Sequence, residues 1–115
     1  MTTEPLITQT SDVDGTTRVR LVGELDMQAA DRLDAELAGV QAGGGRRLWV
    51  DLSGLTFLDS SGLRVLLRTL KRADDSGGEL VLVPGPPNVQ HVFALTRLVD
   101  RFRFAEPGGA SGPAP

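Results

Sequence analysis

Apolar and polar positions along this chain switch between a strand period and a helix period. From Thr16 to Leu25, Val19 and Leu21 alternate with Arg18 and Arg20, which predicts a strand with one buried and one wet face. Leu6 to Thr10 predicts a shorter strand before it, and the Asp12, Asp14 and Gly15 cluster predicts the hairpin turn between them. Ala30, Leu33, Leu37 and Val40 then recur at helical spacing. They predict a helix over Met27–Val40 with Asp26 as its N-cap and the glycines of QAGGGRR as its stop. Leu48, Val50 and Leu52 mark a third strand with Trp49 and Asp51 on its other face.

Leu63, Leu66, Leu67 and Leu70 fall at i, i+3, i+4 and i+7, a second helix whose apolar face is plain in the sequence and which DDSGG ends. Glu79 to Val83 is a short continuous apolar run, as in a strand inside a parallel sheet. Pro86 and Pro87 suit a loop and a first helical turn, and Val89, Val92, Phe93 and Thr96 give a third helical face. Arg101 to Phe104 predicts a last strand. The order β-β-α-β-α-β-α-β defines an α/β domain over residues 1–105 with right-handed crossovers. The final EPGGASGPAP, residues 106–115, has too little apolar surface to offset the entropy of ordering and is expected to be a disordered tail.

Composition narrows the function. With 115 residues, 40% hydrophobic and 23% charged, the chain suits one globular domain. The absence of cysteine excludes disulfides, thiolate metal sites and cysteine nucleophiles. No apolar run approaches the roughly 20 residues of a membrane span, and the N-terminus lacks the pattern of a signal peptide, so a cytoplasmic location is expected. A net charge of -3 speaks against nucleic acid as a direct partner.

Several residues invite chemical readings. Ser61, the sole histidine His91 and Asp59 or Asp26 could compose a hydrolase triad, but Asp59 stands where a G-x-S-x-G elbow needs glycine. Asp26 and Asp59 both sit at strand-to-helix junctions, which share one edge of a parallel sheet, so a carboxylate magnesium site is conceivable there. Asp51 lies on a third element and His91 has no partner at i+4, so no metal site is expected. GGGRR lacks the Lys-Ser ending of a phosphate loop, and no cofactor is indicated. Arg64, Arg68, Lys71 and Arg72 fill the polar side of the second helix, as a solvated face or as a docking surface for an acidic partner. In FLDSSGL, Asp59 or Ser60 can cap that helix, which puts Ser61 in or beside its first turn. A phosphate there would meet free N–H groups and the positive helix end.

VDLSGLTFLDSSGLRVLL resembles the signature of STAS domains, and within them the bacterial anti-sigma factor antagonists. The GELD of Gly23–Asp26, the GGEL of Gly77–Leu80 and the Pro87–Phe104 stretch agree in order, so the resemblance spans Leu6 to Phe104. It implies the STAS fold, a mixed four- to five-stranded sheet with helices mainly on one face. It also implies a protein that is not an enzyme. Unphosphorylated, it would bind an anti-sigma factor that is itself a serine kinase and so release a sigma factor. That kinase would phosphorylate Ser61, the serine before Gly62, and a PP2C-type phosphatase would restore the active form. Asp26, Asp59, Ser60, Gly62 and Arg64 would surround the partner-binding site, with Gly62 permitting close approach by the modifying enzymes. The alternative role within the fold is a regulatory or scaffold subunit of a stress-signalling complex or lipid transporter. Fuller family members end in a further helix, and its absence here could expose an apolar strip to a second copy of the chain.

Overall fold

The computed structural model describes residues 5–44 and 46–105, so the expected tail lies outside the described residues. Strands β1 (Ile7–Val13) and β2 (Thr16–Leu25) form the hairpin. Asp14 and Gly15 turn it with φ of 50° and 81°, the left-handed pair that matches the twist of a two-residue hairpin loop. Asp12 belongs to the strand and not to the turn, where its carboxylate accepts a hydrogen bond from the Thr17 hydroxyl at 2.6 Å.

Then follow α1 (Met27–Ala42), β3 (Arg47–Leu58), α2 (Ser60–Ser76), β4 (Glu79–Val83), α3 (Pro87–Leu95) and β5 (Arg103–Phe104). The five strands lie in sequence order, with β1 antiparallel to β2 and each later pair parallel. Every crossover steps to the next strand in one direction, and right-handed crossovers of that kind leave their helices on one face. Helices α1 and α2 pack against each other over Val19, Leu21, Val50 and Leu52, in a core that continues to Val89 and Phe93 of α3.

The structure refines several expectations, while Leu63, Leu66, Leu67 and Leu70 all pack on the core as their spacing predicts. Strand β3 continues past Leu52 to Leu58, because slips in its register with β2, between Arg20 and Val22 and between Gly23 and Glu24, absorb the Ser53-Gly54 break. The buried side of α2 runs through Gly62, Leu63, Val65, Leu66, Thr69 and Ala73, whereas Leu67 and Leu70 lie at its margin. Thr69 is admitted to the core because its hydroxyl donates to the Val65 carbonyl at 2.8 Å. The residues before the last strand form a 3₁₀ turn over Val99–Arg101, leaving a strand of two residues. The basic side of α2 is not simply solvated: Arg68 and Arg72 reach Asp34 of α1 at 3.6 and 3.0 Å, and Arg72 also donates to Gln41 at 2.7 Å.

On the face away from α1 and α2, Asp51 is 3% exposed and accepts from Arg18 at 2.8 Å and from the Ser53 amide at 2.9 Å, with Arg20 at 3.9 Å. Burial alone would raise its pKa, but the hydrogen bonds from Arg18 and Ser53 and the Arg18 charge outweigh it and hold the carboxyl below its ordinary 3.8. A folded value below the unfolded one means that the carboxylate stabilises the fold at neutral pH and that this contribution is lost as pH falls from about 4 through the lower folded value. Asp51→Asn should therefore cost about 2 kcal/mol at pH 7, the scale of hydrogen bonds to a charged group. Urea unfolding of both proteins should show the gap narrowing steadily below pH 4, and a gap independent of pH would refute this role for Asp51.

Candidate functional site

Strands β2 and β3 end together. Leu25 pairs with Leu58, and the Asp59 amide donates to the Leu25 carbonyl at 3.3 Å, so the next residues, Asp26 and Asp59, emerge side by side at one sheet edge. Each caps the helix that follows. Asp26 accepts from the Gln28 and Ala29 amides at 3.0 and 3.1 Å, and Asp59 from the Ser61 and Gly62 amides at 2.9 and 3.1 Å. Of the two cap candidates for α2, Asp59 is therefore the cap and Ser60 the first helical residue. The positive ends of α1 and α2 open at this one edge, each holding a carboxylate.

Ser60 is exposed and Ser61 half-buried in the first turn of α2. Arg64 is exposed one turn further along, at i+4 from Ser60 and i+3 from Ser61, close enough on a helix surface to meet a charge placed on either. Gly62 differs from its expected role. It is buried, and a Cβ built there would lie 2.5 Å from Cγ of Leu25 and 2.7 Å from Cδ1 of Leu58. Glycine is required by the packing of α2 on the strand ends, and the room its missing Cβ leaves faces Leu25 and Leu58 in the core.

Residues to which the sequence reading assigns no site role complete the edge. Glu24, Met27, Gln28 and Phe57 line a shallow depression with Asp26 and Asp59. Met27 is 73% exposed and Phe57 43% exposed, large apolar side chains left in water around acidic groups. The sequence signal for them is faint: Met27 reads as an ordinary first helical residue, and the register slips of β3 hide the side on which Phe57 emerges.

The other candidates are not gathered here. His91 is exposed on α3, and among the described residues no hydrogen bond joins it to Ser61. No group of three potential metal ligands occurs among the described residues. No helix among them is long and apolar enough to cross a membrane.

Two helix N-termini and two capping acids at the carboxyl edge of parallel strands define an α/β domain with a distinctive edge, and comparison with known proteins gives it a family. The family model described as Mlab, STAS domain, matches residues 8–103, and the chain belongs to the STAS family. It is 35% identical over 102 residues to BtrV of Bordetella bronchiseptica, provisionally named an anti-sigma factor antagonist, covering 89% of this chain and 88% of that protein. The crystal structure of an anti-sigma factor antagonist from Mycobacterium paratuberculosis superposes with a TM-score of 0.76 at 31% identity, over 87% of this chain and 85% of that one. SpoIIAA, a cell fate determinant of Bacillus and an anti-sigma factor antagonist, is similar in its unphosphorylated form, with a TM-score of 0.75 at 26% identity over 88% and 90% of the two chains. Its phosphorylated form gives a TM-score of 0.68 at 25% identity over 88% and 93%. The five-stranded mixed sheet with three helices is the STAS fold.

Proposed function

We propose that this protein is an anti-sigma factor antagonist that acts by partner switching. Unphosphorylated, it binds an anti-sigma factor serine kinase and so frees a sigma factor. Phosphorylation of Ser61 by that kinase ends the binding, and a PP2C-type phosphatase resets it. The protein is a substrate and a switch, with no catalytic role of its own.

The observation that carries this reading is Ser61 in the first turn of α2, its amide held by the Asp59 cap, beside Asp26 on the same edge. A phosphate adds about -1.5 to -2 charges at neutral pH. At the α2 N-terminus the helix dipole favours such a charge, although the Asp59 cap already occupies the Ser61 and Gly62 amides. The neighbouring carboxylates of Asp26 and Asp59 make the same charge unfavourable for any partner that must cover them together. The switch can thus alter binding without unfolding the domain that carries it. The similarity to an antagonist known in both unphosphorylated and phosphorylated forms supports the same reading.

The test is to incubate wild type, Ser60→Ala and Ser61→Ala with the anti-sigma factor kinase and ATP, and to map phosphate by mass spectrometry. Wild type and Ser60→Ala should each gain one phosphate on Ser61, and Ser61→Ala none. Full phosphorylation of Ser61→Ala would sink the assignment.

A further inference from the structure

Strand β1 is an edge. Among the described residues it pairs with β2 on one side only, and six of its seven residues are exposed. Soluble proteins commonly guard such edges with lysine, proline or a bulge. ITQTSDV contains neither residue, its one charged side chain, Asp12, accepts from the Thr17 hydroxyl of β2 at 2.6 Å, and its pairing with β2 runs unbroken from Ile7 opposite Val22 to Val13 opposite Thr16. Its free side therefore offers a seven-residue row of backbone groups to another strand.

The strand is also complementary to itself. Laid antiparallel about Thr10, Ile7 falls opposite Val13 of the second copy, Thr8 opposite Asp12, Gln9 opposite Ser11, and Thr10 opposite Thr10. Ile7 and Val13 are 54% and 46% exposed, and both lie on the sheet face away from α1, because their β2 partners Val22 and Thr16 share the face of Arg18 and Arg20. This register covers all four of these apolar side chains in the pair. Centring instead on Ile7 or on Val13 covers only one kind and leaves the other in water. The second copy's Val13 would also extend an apolar row that already runs from Ile7 to Val22 and Gly54, beside a depression lined by these three with Pro5, Gly23 and Thr56.

We propose that β1 joins two copies of this chain, antiparallel about Thr10, into one continuous ten-stranded sheet. The second copy is favoured as occupant over a foreign strand because the exposed apolar residues are spaced to meet each other. The interface is one strand wide, smaller than that of an obligate dimer, so association is weak and concentration-dependent. The twofold reverses β2 in the second copy, which sets the two Ser61 edges at opposite ends of the joined sheet and leaves both accessible. The dimer is independent of the proposed switching function.

Sedimentation equilibrium of the full chain should show a monomer–dimer equilibrium. The double variants Ile7→Lys/Val13→Lys and Ile7→Glu/Val13→Glu should each dimerise at least tenfold more weakly, with unchanged circular dichroism because the altered positions are exposed. Mixing the two should restore a dimer, since each lysine then faces a glutamate. The chain has no cysteine, so a single Thr10→Cys should form a disulfide-linked dimer under mild oxidation whereas Asp14→Cys should not. A monomeric wild type, undiminished dimers in both double variants, or equal cross-linking of the two cysteine variants would overturn the proposal.

Discussion

Ser61→Asp should bind the anti-sigma factor kinase at least ~100-fold more weakly than wild type in calorimetry, a loss of about 2.7 kcal/mol. The added carboxylate would join Glu24, Asp26 and Asp59 at one sheet edge. A partner that covers this edge must desolvate all of them, and an unmatched charge inside an interface costs several kcal/mol. The folded state should be almost indifferent, because an acid in the first turn of α2 interacts favourably with the helix dipole, by a few tenths of a kcal/mol. Thermal unfolding of Ser61→Asp should therefore match wild type within a degree or two while its affinity collapses. Phosphorylated wild type, with up to two charges, should bind more weakly still. Equal affinities of Ser61→Asp and wild type would show that charge at this position does not control docking.

The alternative explanation of such a result, a distorted helix end, is addressed by Asp59. Its carboxylate occupies the Ser61 and Gly62 amides, so an acid at position 61 does not need to replace the cap. It projects from a turn already closed. Arg64, exposed at i+3 from position 61, can pair with an acid placed there.

Much of this arrangement was legible in the chain because local chemistry and tertiary position agree. Asp26 and Asp59 each precede a helical period and each proves to be a cap, and the bounds of β2 and β4 follow their apolar patterns. What was hidden depends on register. The length of β3 cannot be read from alternation, since two slips against β2 interrupt it, and those slips are what carry Leu58 level with Leu25 and bring the two acids together. The anchoring of α1 to α2 through Asp34 joins residues 34 and 38 positions apart, beyond the reach of helical spacing within either element. Gly62 misled for a related reason: exposure at a helix start is the usual expectation, and only the approach of α2 to Leu25 and Leu58 shows that it faces inward.

That inward glycine gives the largest expected effect on stability. Gly62→Val should destabilise the domain by about 3 kcal/mol or more, the upper range for forcing bulk into a packed core. The obstacle is a branch carbon of Leu25, itself fully buried, and not the end of a flexible side chain. Relief would require α2 to lift from the strand ends or Leu25 to leave its rotamer. Gly62→Ala should still cost about 1–2 kcal/mol, although alanine gains up to ~1 kcal/mol over glycine in helix propensity. Gly39 in α1 supplies the contrast, since a Cβ there meets no atom within 4 Å. Gly39→Ala should raise stability by up to ~1 kcal/mol, so the same substitution carries opposite signs on two helices. Lifting α2 would also move Ser61 relative to Asp26, and Gly62→Ala should accept phosphate from the kinase more slowly even at temperatures where it is fully folded. Urea unfolding of the three variants tests the packing argument directly: equal shifts for Gly62→Ala and Gly39→Ala would mean that the contact with Leu25 and Leu58 does not govern the choice of glycine beside the serine.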